Sequence, residues 1–213
     1  MFDRFRALLS ERRLRRRMRQ APLVPLSNAP EGTLIRVVGG VRPLAGRVLE
    51  APLSGRLCVY YAVEVLASAA ASPPEDPLPV LGANVIASEQ DGVAFVLDDG
   101  HARAVIDPAH ATIAAAFDHV STSAAAFDAS LLQREFLVRH DLIRRDWWNT
   151  TSVIYREAVI ELDGWIAVVG TGTCEADPGA PPTGLYRDGA AQRLRLTGTA
   201  RFPLMITDDV EAP

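Results

Sequence analysis

Four histidines, two cysteines, two adjacent carboxylates and a run of arginines are the residues of this 213-residue chain that could do chemistry. His101, His110, His119 and His140 are not at i, i+4 spacing and have no HExxH context, so no helical zinc pair is encoded. His110 and His119, with Asp107 and Asp118 nearby, offer nitrogen and oxygen donors that a metal could collect; solvated helix and loop positions explain them more simply. Cys58 and Cys174 lack the clustered ligands of a structural zinc site and have no activating base close in sequence. Both read as small buried hydrophobes. Asp98 and Asp99 could serve acid–base work, but Asp98-Asp99-Gly100-His101 has the composition of a hairpin turn, whose positive φ angles Asp-Gly accepts. Gly170-Thr171-Gly172 lacks the third glycine and following helix of a dinucleotide fingerprint. Neither a nucleophile elbow nor a phosphate-binding loop occurs. The residues therefore predict no catalytic centre, no metal site and no cofactor.

Binding is the better expectation. The first twenty residues hold eight Arg against Asp3 and Glu11, a surplus of six positive charges. A whole-chain charge of −4 then leaves −10 for the rest. Arg12, Arg13, Arg15, Arg16, Arg17 and Arg19 are the candidate contacts to an anionic surface or a protein partner. Near an anionic leaflet each contributes on the order of 1 kcal/mol. Phe2, Phe5, Leu8 and Leu9 share one side of a helix, whereas Leu14 and Met18 fall opposite, so residues 1–21 read as a basic arm with a half-formed apolar face. Nucleic acid is a weaker candidate partner, because an acidic body repels phosphates. Trp147 and Trp148, beside Arg144 and Arg145, are either core packing or an exposed aromatic patch for a partner.

These residues need a scaffold, and the composition supplies one. Hydrophobic residues make up 48% of the chain and charged residues 23%, a globular balance. No apolar run reaches the ~18–20 residues of a membrane-spanning helix, and the N-terminus lacks a signal-peptide pattern. The expected location is cytoplasmic, or peripheral to a membrane through the arm. Pro22, Pro25 and Pro30 make residues 22–31 a stiff linker. Residues 32–206 read as one β domain, with a tail at 207–213. Thr33–Val38 is strand-like, with Gly39-Gly40 ending or bending it. Arg47–Glu50 is a short candidate, and Leu57–Leu66 is a long apolar strand suited to a central place. Val85–Ser88 and Val93–Leu97 read as one pair, with Ala102–Ile106 returning after the Asp98–His101 turn. Residues 108–140 carry Ala-rich, helical spacing, with Asp128 or Ser130 as cap before Leu131, Leu132, Phe136 and Leu137. Ser152–Tyr155, Ala158–Leu162 and Trp165–Gly170 follow, the last two joined as a hairpin by Asp163-Gly164. Gln192–Thr197 and Phe202–Ile206 complete the strands. The fold class is mainly β with one or two helices (α+β), an antiparallel barrel or sandwich preceded by a basic N-terminal helix.

The strings GGVRPLAGRVLEAPLSGRLCVYYAVEV, AFVLDDGHARAVIDP and YREAVIELDGWIAVVGTGTCEADP, in this order within residues 32–206, resemble the GIDE domain. That domain, also called BAM for "beside a membrane", occurs in membrane-anchored mitochondrial E3 ubiquitin ligases and, without the ligase part, in bacterial chains. The resemblance implies an OB-like barrel that acts by contact, with no catalytic residue to carry over. Under it, Pro52 and Gly55 make the turn before the Cys58 strand, Glu157 begins the strand leading to Gly164, and Gly170 ends the strand after it. Two features depart from the ligases. Their RING finger needs eight Cys/His ligands, and this chain has two Cys and four His, so ubiquitin transfer by it alone is excluded. Their flanking membrane helices are replaced at the front by the basic arm. An OB-like nucleic-acid-binding protein and an accessory component of an E3-ligase-like system are the alternative functions.

Overall fold

The computed structural model describes residues 18, 20–68, 84–123, 128–143, 152–178, 192–199 and 201–210. Among the described residues are twelve strands and the α-helix Leu131–Arg139, divided between two compact units. The first unit comprises Met1–Val48, Val93–Ala115 and Leu162–Pro213; the second comprises Leu49–Gly92 and Ala116–Glu161. The stretch 32–206 is shared between these two units.

The first unit is a closed barrel. β1 (Leu34–Pro43) pairs antiparallel with β5 (Phe95–Asp98), β5 with β6 (Arg103–Asp107), and β10 (Trp165–Ala176) with both β11 (Gln192–Thr197) and β1. β6 and β11 run parallel and complete the ring. β12 (Leu204–Thr207) adds to β10, and β7 (Ala111–Ala114) adds in parallel to β12. The predicted barrel is present, with parallel seams that the antiparallel expectation lacked.

β1 closes the ring by changing neighbours at Gly40, which is aligned with both Trp165 and Asp98. Gly39 makes this possible. A Cβ there would lie 2.8 Å from the Asp98 carbonyl oxygen, a contact that backbone cannot relieve. The pair Gly39-Gly40 bends the strand rather than ending it. Alternation then points Ile35, Val37, Val41, Leu97, Ile106 and Leu196 to one buried face. Gly170 lies inside β10, not at its end, where Leu204 and Leu196 pack over it. On the outer face, Met18 and Ala21 are buried against Ala167, Val169 and Met205.

The second unit is an open antiparallel sheet. β3 (Leu57–Ser68) is central, as its apolar sequence predicts. It pairs with β9 (Ser152–Glu161) on one edge and with β2 (Leu49–Glu50) and β4 (Asn84–Gly92) on the other. β8 (His119–Ser123) adds to β9. Helix α1 (Leu131–Arg139) covers one face through Phe136 and Leu137, which meet Tyr61, Val63, Val65, Val153, Tyr155 and Val159.

Four local expectations change. Residues 108–140 hold β7 and β8 besides the predicted helix. Residues 152–161 are one strand, so Glu157 lies within β9 rather than at its start. The stretches 85–88 and 93–97 are not a pair: β4 adds to β3, and β5 to β1 and β6. Likewise Asp163-Gly164 forms a turn, with Asp163 at φ 64°, but β9 and β10 join different sheets. The N-terminal helix expected over the arm lies outside the described residues.

Candidate functional site

Period-two alternation in β9 puts Tyr155, Glu157 and Val159 on one face, the face that α1 covers. Glu157 is therefore a carboxylate among apolar side chains, with no exposed surface. A buried carboxylate is costly unless hydrogen-bonded or paired. Its Oε1 accepts a 2.7 Å hydrogen bond from the backbone N–H of Leu53. Its Oε2 accepts none and lies 3.9 Å from Arg56 Nη2. Leu53 and Arg56 belong to the turn before β3, where Gly55 adopts φ +71° as the Pro52–Gly55 reading requires.

Arg56 gathers the other charges. Its Nη1 donates to Asp118 Oδ2 and Glu161 Oε1, both at 2.6 Å. Its Nη2 donates to Asp118 Oδ1 at 2.8 Å, and its Nε to Ser54 Oγ at 3.1 Å. The fork-shaped guanidinium suits this two-point grip. Its hydrogen bonds hold the Asp118 carboxyl below the usual carboxylate range. Burial, then the charge of Glu157, pushes the Cys58 thiol up to about 11. Such a thiol stays protonated near neutral pH and is not a nucleophile.

A cleft of about 750 Å³ opens here, lined by Leu53, Ser54, Arg56, the start of β8 from Asp118, and the first turn of α1. That turn is fixed by a capping box. Ser130 Oγ accepts from Gln133 N, and Gln133 Oε1 accepts from Ser130 N at 2.8 Å. Gln133 Nε2 then donates to Ser121 Oγ on β8, also at 2.8 Å. The other end of α1 is held by Glu89 of β4. Glu89 Oε1 accepts from Tyr61 Oη at 2.7 Å and Arg139 Nη2 at 3.0 Å, while Oε2 lies 2.8 Å from His140 Nε2. Burial works against the Glu89 charge, but the hydrogen bonds from Tyr61 and His140 outweigh it and hold this carboxyl below its ordinary range.

The barrel carries a second groove, of about 670 Å³, lined in part by Arg42, Arg103 and Arg193. Each has a carboxylate partner: Arg42 pairs with Asp163, Arg103 with Asp98 at 3.2 Å, and Arg193 with Glu175 at 2.7 Å. Arg195 also donates to Glu175, at 2.6 Å, which lowers that carboxyl's pKa.

The residues singled out by sequence divide sharply. Arg12, Arg13, Arg15, Arg16, Arg17 and Arg19, and Trp147 and Trp148, lie outside the described residues. Asp98 and Asp99 serve the β5–β6 turn: Asp98 accepts from Gly100 N, and Asp99 from His101 N and Ala102 N. Asp107 caps a single 3₁₀ turn through Ala109 N, and Asp118 is engaged by Arg56. Cys58 is buried as predicted, whereas Cys174 is exposed. Among the described residues, no group of three or more His, Cys, Asp or Glu side chains is placed to hold a metal. No helix among them is long and apolar enough to cross a membrane.

Sequence reasoning missed the Arg56–Asp118–Glu157 cluster. Its nearest members to one another, Glu157 and Asp118, are still 39 residues apart, and Arg56 and Asp118 are 62 apart, so no local spacing announces them. One signal was available: in Tyr155-Arg-Glu-Ala-Val159 the glutamate occupies a position of the apolar period. Comparisons with protein-family models, with curated proteins and with solved structures found no match.

Proposed function

We propose that this chain is a non-catalytic interaction module resembling the GIDE domain, held at an anionic membrane surface by its arginine-rich arm. The observation that carries the reading is the root of the arm. Met18 and Ala21 are buried on the outer face of the barrel, with 1% and 4% exposure. An arm rooted at a fixed point loses less freedom on docking than one on a loose tether. Arg12, Arg13, Arg15, Arg16, Arg17 and Arg19 all lie within six residues of Met18 in the sequence. The order β1-β5-β6-β11-β10, closing on β1 with β6 and β11 parallel, supports the OB-like barrel that the resemblance implies.

The test is co-sedimentation with vesicles. Residues 1–17 are removed and Met18 is kept, because removing it would also uncover the barrel. The intact chain should sediment with phosphatidylserine vesicles and not with neutral ones, and the shortened chain with neither. Equal recovery of the intact chain with both lipids rejects the tether.

A second reading, single-stranded nucleic-acid binding, is favoured by the Arg42, Arg103 and Arg193 groove on the barrel. It ranks lower because each of these arginines already has a carboxylate partner. Binding of this kind should weaken with salt at a slope of about −0.7 per phosphate contact. A flat response excludes it.

A further inference from the structure

We propose that the end of the barrel carrying Leu23, Leu34 and the Arg201-Phe202 turn is the face that meets an anionic bilayer, with the Phe202 ring entering the lipid and Arg201 taking a headgroup phosphate. This rests on the reading of the arm above and adds the part of the folded barrel that touches lipid. The register fixes the neighbourhood. Met18 and Ala21 pack with Met205 of β12 and Val169 of β10, which are paired. Two residues beyond Val169 on β10 is Thr171, whose partner on β1 is Leu34. Three residues before Met205 is Phe202, no more than about 10 Å away at strand spacing. Because β12 and β10 are antiparallel, both steps lead the same way. Leu23 bridges to Arg36, two residues from Leu34. The root of the arm and the three side chains therefore occupy one end of the barrel unit.

The second observation is what these residues leave in water. Leu23 is 59% exposed, Leu34 51% and Phe202 71%. A single exposed apolar side chain is ordinary, but a group of them marks a contact surface. Phe202 is held rather than loose. Thr199 N donates to Phe202 O, and Phe202 N donates to Thr199 Oγ1, both at 3.0 Å. The Arg201 guanidinium lies over the Phe202 ring, 5.4 Å from its centre. A ring already ordered in this way loses little freedom on docking.

Charge selects the occupant. The first twenty residues carry six surplus positive charges, and Arg201 adds one beside Phe202. Two carboxylates stand near this end, and both are engaged. Glu31 accepts from Cys174 N at 3.1 Å, and Glu175 accepts from Arg193 and Arg195. The face thus needs a partner that offers negative charge and, just beneath it, apolar depth. An anionic bilayer has both within roughly 5–10 Å of its surface. The stacked pair matches that order: the guanidinium suits the phosphates and the ring suits the acyl boundary below them.

The experiment measures how much of the full chain, with its arm, partitions onto phosphatidylserine vesicles. Phe202→Ala should weaken partition about fivefold to tenfold, the factor for burying part of a Phe side chain. Phe202→Leu keeps the apolar area and should stay within about twofold of the native chain. Arg201→Gln should weaken partition about fivefold. Trp165 is the control: it is 57% exposed, but it lies four residues from Val169 in the opposite direction along β10. Trp165→Ala should leave partition unchanged. Urea unfolding checks that each variant is folded, and Leu34→Gln supplies the same test if Phe202→Ala loosens its turn. If the native chain sediments with these vesicles and folded Phe202→Ala does so equally well, this proposal falls and the arm reading stands. An equal loss in Trp165→Ala also overturns it, because the contact is then not confined to this end. If the native chain does not sediment at all, both fall.

Discussion

The barrel and the helix-covered sheet solve the same problem, burying strands, in opposite ways. In the barrel, every strand of the ring has a hydrogen-bonded neighbour on both sides, so closure removes the edges. Among the described residues its only buried polar side chain is Thr207. The second unit closes nothing. It covers one face with α1 and buries Ser123, Gln133 and Glu157. Its helix is pinned at one end by Ser130, Gln133 and Ser121, and at the other by Glu89 with Tyr61, Arg139 and His140. A closed ring of backbone hydrogen bonds can leave its interior wholly to packing. An open sheet has to hold its lid with side chains, and those polar side chains are where recognition chemistry becomes available.

The sharpest way to break this contrast is to remove the lid. Phe136 is 1% exposed and reaches the centre of the second unit's core. Phe136→Ala should cost about 3–5 kcal/mol by urea unfolding. Hydrogen-exchange protection should fall along β3 and β9. Protection kept there in full would mean that the sheet is stable uncovered, and the comparison would lose its basis.

The barrel's equivalent weak point is the closing strand. Gly39→Ala places a Cβ against the Asp98 carbonyl, and should cost about 1–3 kcal/mol through overpacking. Gly170→Ala brings its Cβ even nearer to an atom, 2.2 Å from Leu204 Cδ2, but that atom is the end of a flexible side chain. The expectation is that Gly39→Ala is the more destabilising of the two by thermal or urea unfolding. The reverse order would show that the ring opens more easily at Gly40 than its core repacks around Leu204.

What could be read from sequence follows the range of the interaction. Ser130-Leu-Leu-Gln133 is a local capping signal, and the helix starts there. Asp98-Asp99-Gly100 is a local turn signal, and β5 and β6 pair across it. The long apolar β3 is central, because a strand with that pattern has to be enclosed. Strand partnership beyond that hairpin was not readable. Asp163-Gly164 has the same turn chemistry as Asp99-Gly100, yet it carries the chain from one sheet into another. Positive φ fixes a turn; which strands pair beyond it depends on distant hydrogen bonds. The candidate site failed for the same reason. Arg56 and Asp118 are 62 residues apart, and nothing in either neighbourhood specifies the other.

The smallest effect separates the two units by acid. Glu89 titrates below its ordinary range because Tyr61, His140 and Arg139 favour its charged form. The unfolded chain then binds its proton first, near pH 4.3. The stability from this cluster is complete above that value and is lost as pH falls through the lower, folded one. Unfolding free energy should therefore begin to decline below about pH 5. Glu89→Gln should flatten that decline and reduce the acid sensitivity of amide protection in α1. Glu175 of the barrel is shifted in the same direction by Arg195 and Arg193. Glu175→Gln should leave α1 protection unchanged, because Glu175 holds neighbouring strands rather than the helix. If α1 loses protection in acid equally in the native chain and in Glu89→Gln, the helix is held by Phe136 and Leu137 alone. The polar pins would then be consequences of the packing rather than its support.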